Sequence, residues 1–123
     1  MNPSVRPWLR LEGAAVFLAA IVLYQLYGNY AGWTFFVLLF FVPDISILGY
    51  LAGPRVGAAA YNLAHTYAVP AMLGLGGVLT MPLLFNIALV WTAHIGFDRA
   101  LGYGLKLPTD FRDTHLGRIG RAR

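Results

Sequence analysis

The stretch Ala-His-Ile-Gly-Phe-Asp-Arg, residues 93–99, puts three ionisable groups into an apolar run. His94 and Asp98 are four residues apart, so on a helix they share one face. Glu12, Asp44 and His65 lie in other apolar stretches, and Asn62 sits close to His65. Two imidazoles and up to three carboxylates suit a divalent ion of the zinc or manganese type. An ion held there would activate water, and His65, His94 and Asp98 are the candidates for catalytic roles. Arg55, Arg99 and Lys106 are candidates for holding a lipid phosphate. No compact metalloprotease motif is present, so the ligands must come from separate segments.

The composition says which segments those are. The chain has 123 residues, 59% hydrophobic and 11% charged. An average soluble domain carries about 25% charged residues. A chain this small and apolar cannot cover itself with polar surface, which points to the membrane. With no cysteine, a disulfide framework, a thiolate zinc site and a cysteine nucleophile are all excluded. The net charge of +4 gathers at the ends of the chain, a topology pattern and not a nucleic-acid groove. Glu12 interrupts the first apolar run, and no small-residue cleavage site follows it. That run reads as a retained helix rather than a leader.

Four spans can be drawn, at about 8–27, 33–51, 56–79 and 82–103, followed by a basic tail over 104–123. Each approaches the ~20 residues a helix needs to cross a bilayer. The joins at Gly28–Gly32, Gly53–Arg55 and Thr80-Met81 are short, so consecutive helices run antiparallel. Arg6, Arg10, Arg55, Lys106, Arg112, Arg118, Arg121 and Arg123 then fall on one side, and the other two loops hold no Lys or Arg. The positive-inside rule puts both termini in the cytoplasm. The expected fold is an all-α, four-helix integral membrane bundle forming a single domain. Trp8, Tyr27, Tyr30, Trp33, Tyr50 and Tyr103 fall at the span ends, where amphipathic rings prefer to lie.

On this frame the polar groups share one layer. At 1.5 Å per residue, Asp98 lies ~5 Å and His94 ~10 Å inside the cytoplasmic end of the fourth span. Asp44 lies ~10 Å inside the second; Asn62 and His65 lie ~9 and ~14 Å along the third; Glu12 is ~6 Å into the first. Turned inward, these faces would form one buried cluster in the cytoplasmic half. Arg99 points well round the helix from His94 and Asp98, toward headgroups or a neighbouring acid.

The segments ILGYLAGPRVGAAAYNLAHTYAVP (47–70), AHIGFDRALGYGLKLPTDF (93–111) and DTHLGRIGR (113–121) resemble a family of small bacterial membrane proteins, domain of unknown function 4260. The resemblance runs from Arg10 to Arg121. It implies a multi-pass protein of the bacterial plasma membrane and implies no activity.

Three functions remain open on the sequence. One is a metal or lipid-headgroup site with hydrolytic chemistry. Another is a non-catalytic bundle or subunit, in which carboxylates pair with arginines and histidines as structural glue. The third is proton- or ion-coupled transport, which four short helices would support only as a homo-oligomer. Membrane lipids are the expected partners. In the tail, Gly117–Arg123 is expected to be loosely ordered. Asp110–His115 reads either as a lid or headgroup clamp, or as topology charge alone.

Overall fold

The computed structural model describes residues 3–28 and 32–120. Asn29 and Tyr30, expected at a loop and an interface, and Arg121 and Arg123 of the basic tail lie outside the described residues. The architecture is all-α, in four helical rods with no strand among the described residues.

The first rod is α1 (Arg6–Leu23), which ends in a π turn at Tyr24–Gly28. Pro7 suits its first turn, where no backbone donor is needed. The second rod starts as α2 (Gly32–Phe40) and narrows into a 3₁₀ segment, Val42–Ala52. Pro43 explains the change: it cannot donate to the carbonyl of Leu39, and its ring crowds that carbonyl. Eleven residues is long for a 3₁₀ helix.

The third rod differs from the continuous 56–79 helix expected from the sequence. It breaks into α3 (Pro54–His65) and α4 (Ala68–Leu79), and Thr66 adopts extended angles of φ −97° and ψ 138°. Pro70 causes the break. It has no N–H for the carbonyl of Thr66, four residues back, and its ring clashes there. The fourth rod, α5 (Pro82–Leu101), stops at Gly102, whose φ of 96° is left-handed. Gly102 N–H donates to Arg99 O and Tyr103 N–H to Asp98 O, the paired bonds of a Schellman end.

Helix α5 is the centre of the assembly. It packs against both α1 and α4, while α3 packs against the 3₁₀ segment. The α1–α5 crossing is close because Gly13 and Gly96 face each other; a Cβ on Gly96 would stand 2.8 Å from Gly13 O and from Phe17 N. Beyond it, Ala20, Tyr24, Phe36, Leu89, Val90 and Ala93 form the apolar core. Arg6 Nε donates to Leu116 O at 2.7 Å and Arg10 Nε to Ala100 O at 2.8 Å. The start of α1, the end of α5 and the tail therefore meet at one end of the molecule.

The described tail is tied down as far as Ile119, which lies in the stretch expected to be loosely ordered. Leu116 is 1% exposed, Lys106 pairs with Thr114 in an antiparallel bridge, and Ile119 N–H reaches Arg112 O. Large apolar side chains elsewhere face outward, among them Leu18, Val22, Leu26, Met72, Leu75 and Val78. Two stretches, Arg6–Gly28 and Gly32–Ala52, are long and apolar enough to cross a membrane. Neither half of the broken third rod is long enough alone, and α5 dilutes its apolar residues with Asn86, His94, Asp98 and Arg99.

Candidate metal centre

Pro43 ends the regular turns of the second rod and leaves Asp44 in the first turn of the 3₁₀ segment. His65 is the last residue of α3, and His94 and Asp98 lie one turn apart on α5. The break after His65 leaves the final carbonyls of α3 without helical partners. Side chains of α5 take two of them. Trp91 Nε1 donates to Ala64 O at 2.6 Å, and Arg99 Nη2 donates to His65 O at 3.0 Å. The proline break and the two α5 donors together fix where the His65 ring can lie.

That ring stacks on Tyr61 with centroids 3.7 Å apart, and its Nδ1 is 2.9 Å from Tyr61 O. A carbonyl can only accept, so Nδ1 carries the proton and Nε2 of the neutral ring presents its lone pair inward. His94 is set by its helix and by edge contact with Phe40 at 5.2 Å. Its Nδ1 is buried without a hydrogen-bond partner.

Four donor atoms converge. His65 Nε2 lies 3.1 Å from His94 Nε2, 3.2 Å from Asp44 Oδ1 and 3.4 Å from Asp98 Oδ2. His94 Nε2 lies 3.2 Å from Asp44 Oδ1 and 3.3 Å from Asp98 Oδ2. All four atoms are within 4.8 Å of one another. Ligands ~2.0 Å from a tetrahedral ion stand ~3.3 Å apart, so five of the six edges already have that length. The donor set also fits: two imidazole nitrogens and two carboxylate oxygens balance a divalent charge, and this mixed set suits zinc or manganese.

Burial shapes access. His65 and His94 are 0% and 2% exposed, and the Asp98 side chain is largely covered, whereas the Asp44 side chain is 44% exposed. The centre opens on the Asp44 side.

The remaining sequence candidates lie elsewhere. Glu12 is exposed on α1 and is not part of this group. Asn62 serves the tail: its Nδ2 donates to Lys106 O at 2.8 Å and its Oδ1 accepts from Lys106 N at 2.6 Å. Arg55 is exposed at the start of α3. Lys106 is buried, with its ammonium 3.8 Å from the Phe111 ring centroid and 4.7 Å from that of Tyr61. Burial pulls that ammonium down to about 8, partly offset by the charges of Asp98 and Asp44. Arg99 is also buried, and its Nη2 is turned to the His65 carbonyl. The three cations do not make one phosphate clamp. Burial, then the Arg99 charge, lowers the pKa of His115 below its ordinary value. The hydrogen bond from Thr109, then Arg118, keeps Asp113 below the usual carboxylate range.

The family model for a domain of unknown function (DUF4260) matches residues 6–119, nearly the whole chain. The chain belongs to the DUF4260 family. The match spans all four converging residues and most of the tail. No curated protein and no solved structure gives a significant match to this DUF4260 chain.

Proposed function

We propose that Asp44, His65, His94 and Asp98 bind a divalent metal ion in a multi-pass protein of the bacterial plasma membrane, and that the centre hydrolyses a lipid. The observation that carries this reading is the meeting of four donor atoms with five of their six separations at tetrahedral edge length. A purely ion-paired network fits them less well. Two imidazolium rings with Nε2 atoms 3.1 Å apart would repel each other. A neutral His65 would instead aim its lone pair at the carboxylates, and a single Nε2 proton on His94 could serve only one of its three neighbours. A divalent ion relieves both conflicts.

The membrane setting rests on apolar side chains that cover the outside of α1 and α4. The positive flanks add to it, since Arg6, Arg10, Arg55, Lys106, Arg112 and Arg118 precede or follow spans on one side. In this orientation all four rods cross, both termini face the cytoplasm, and the centre lies near the cytoplasmic headgroup layer.

The ion, when bound, supplies Lewis acidity and lowers the pKa of its water. The chain's residues do the rest. His65 is held by Tyr61, Trp91 and Arg99, and His94 by its helix and Phe40, so the two rings stay aimed at one point. Asp44, on the open side, is the ligand placed to yield to water or substrate. An apolar groove of about 330 Å³ runs beside it, lined by Leu39, Val42, Pro43, Ala64, Ile87 and Trp91. Pro43 adjoins Asp44 and Ala64 adjoins His65, so an acyl chain in the groove would bring its ester to the centre.

The test is metal-dependent lipid cleavage. Purified protein in phospholipid vesicles should release a lipid product, stop when a chelator is added, and resume when zinc or manganese is restored. Cleavage that persists in chelator, or no cleavage with metal present, would exclude the hydrolytic reading.

A further inference from the structure

A second cavity lies on the other side of Arg99. It measures about 430 Å³, and its lining includes Glu12, Gly13, Val16, Tyr67, Arg99 and His115. Arg99 is 8% exposed, and its Nη1 is buried with no hydrogen-bond partner. The Tyr67 hydroxyl on the same lining is likewise buried and unpartnered. The guanidinium carbon sits 5.5 Å from the Tyr67 ring centroid, so the two groups are neighbours. A buried charged donor and a buried phenol are costly to leave unpaired, and folded proteins rarely do so.

His115 adds a third donor. Its Nδ1 accepts the Leu105 N–H at 2.8 Å, so the proton of the neutral ring is on Nε2. Arg99, Tyr67 and His115 can thus each donate, one of them as a permanent cation, and this favours an oxyanion. Glu12 is exposed on the lining. Its charge opposes a doubly charged ligand and favours a singly charged one.

We propose that this cavity binds a singly charged phosphate group at its Arg99, Tyr67 and His115 wall, with a side-chain shift that brings Arg99 Nη1 and the Tyr67 hydroxyl onto the ligand beside His115 Nε2. None of the four converging ligands lines it, so the site does not require the metal reading. The two are linked by Arg99, whose Nη2 holds His65 O.

The test uses full-length protein in detergent, titrated separately with inorganic phosphate and with short-chain phosphatidylglycerol, and read by ³¹P NMR. Tyr67→Phe should weaken binding about 10-fold, the loss of one hydrogen bond to a charged group. It should leave metal content unchanged. Arg99→Gln should weaken binding more than 100-fold. Because it also frees the His65 carbonyl, Tyr67→Phe carries the test if Arg99→Gln fails to fold. Binding of both probes supports a phosphate site open to free anions; binding of the lipid alone supports a headgroup site. No binding of either probe, or equal binding by wild type and Tyr67→Phe, overturns the proposal. Lost phosphate binding with metal retained would separate this site from the metal centre.

Discussion

Asp98→Asn separates a metal centre from an ion-paired network by the sign of its effect. Asp98 Oδ2 stands 3.4 and 3.3 Å from the two histidine Nε2 atoms. An asparagine there keeps the shape, loses the charge and brings an N–H that can donate to the His65 lone pair. In the metal-free protein the substitution should therefore be neutral or slightly stabilising. If the cluster were a buried ion-pair network, removing one partner would cost about 3–5 kcal/mol. With metal present the expectation reverses. A wild-type site at 100 times its Kd gains about 2.7 kcal/mol from the ion. Loss of a ligand that lowers affinity ~100-fold leaves about 0.4 kcal/mol at the same metal concentration. An unfolding entropy of about 2.1 cal/mol/K per residue gives ~0.26 kcal/mol/K for 123 residues. The metal-induced rise in Tm should thus be about 10 °C for wild type and under 2 °C for Asp98→Asn. The assay is thermal unfolding in detergent, with chelator and with zinc. A loss of several kcal/mol in chelator, or an undiminished zinc shift in the variant, would refute the reasoning.

Other expectations follow from the packing and the tail. Gly96→Ala places a Cβ 2.8 Å from Gly13 O and Phe17 N. It should cost about 1–3 kcal/mol by forcing α1 and α5 apart, whereas Gly76→Ala, with nothing within 4 Å, should not destabilise; unfolding in denaturing detergent compares the two. Lys106 holds its proton to an ordinary pKa of 10.5 when undocked and to about 8 when buried. Between those values the undocked chain binds the extra proton, so docking should strengthen as pH rises from about 8 to 10.5, by on the order of 2–3 kcal/mol. A fluorophore on Thr109→Cys should report this, and weaker docking with rising pH would contradict it. The absence of native cysteine makes topology direct to read. Arg55→Cys should be labelled from the cytoplasmic side and Thr80→Cys only from the outside.

Much of the site could be read from residue types and depth. His94 and Asp98 are one helical turn apart, and Asp44 and His65 fall in the same layer, so their convergence follows from four antiparallel rods. Azimuth was less legible. Glu12 shares the layer, but Gly13 is the residue α1 presents to α5, and its neighbour points elsewhere. The bond from Arg99 Nη2 to His65 O is not legible in the sequence, because that carbonyl is freed only where Pro70 breaks the third rod. Backbone acceptors leave no mark in a sequence. The bond from Trp91 Nε1 to Ala64 O is hidden for the same reason. The tail looked solvated because it is rich in charge, yet Leu116 buries and Asn62 clamps the Lys106 backbone. That clamp joins residues 44 apart in sequence, beyond the reach of any local pattern.

The most direct measurement is a cobalt titration of metal-free protein followed by visible absorption. Cobalt held by two imidazoles and two carboxylates in a tetrahedron gives an intense blue d–d band. The geometry predicts that this band rises linearly and saturates at one cobalt per chain, is displaced by zinc, and is absent in His65→Gln. A titration with no band, or one unchanged in His65→Gln, would contradict a metal centre at Asp44, His65, His94 and Asp98.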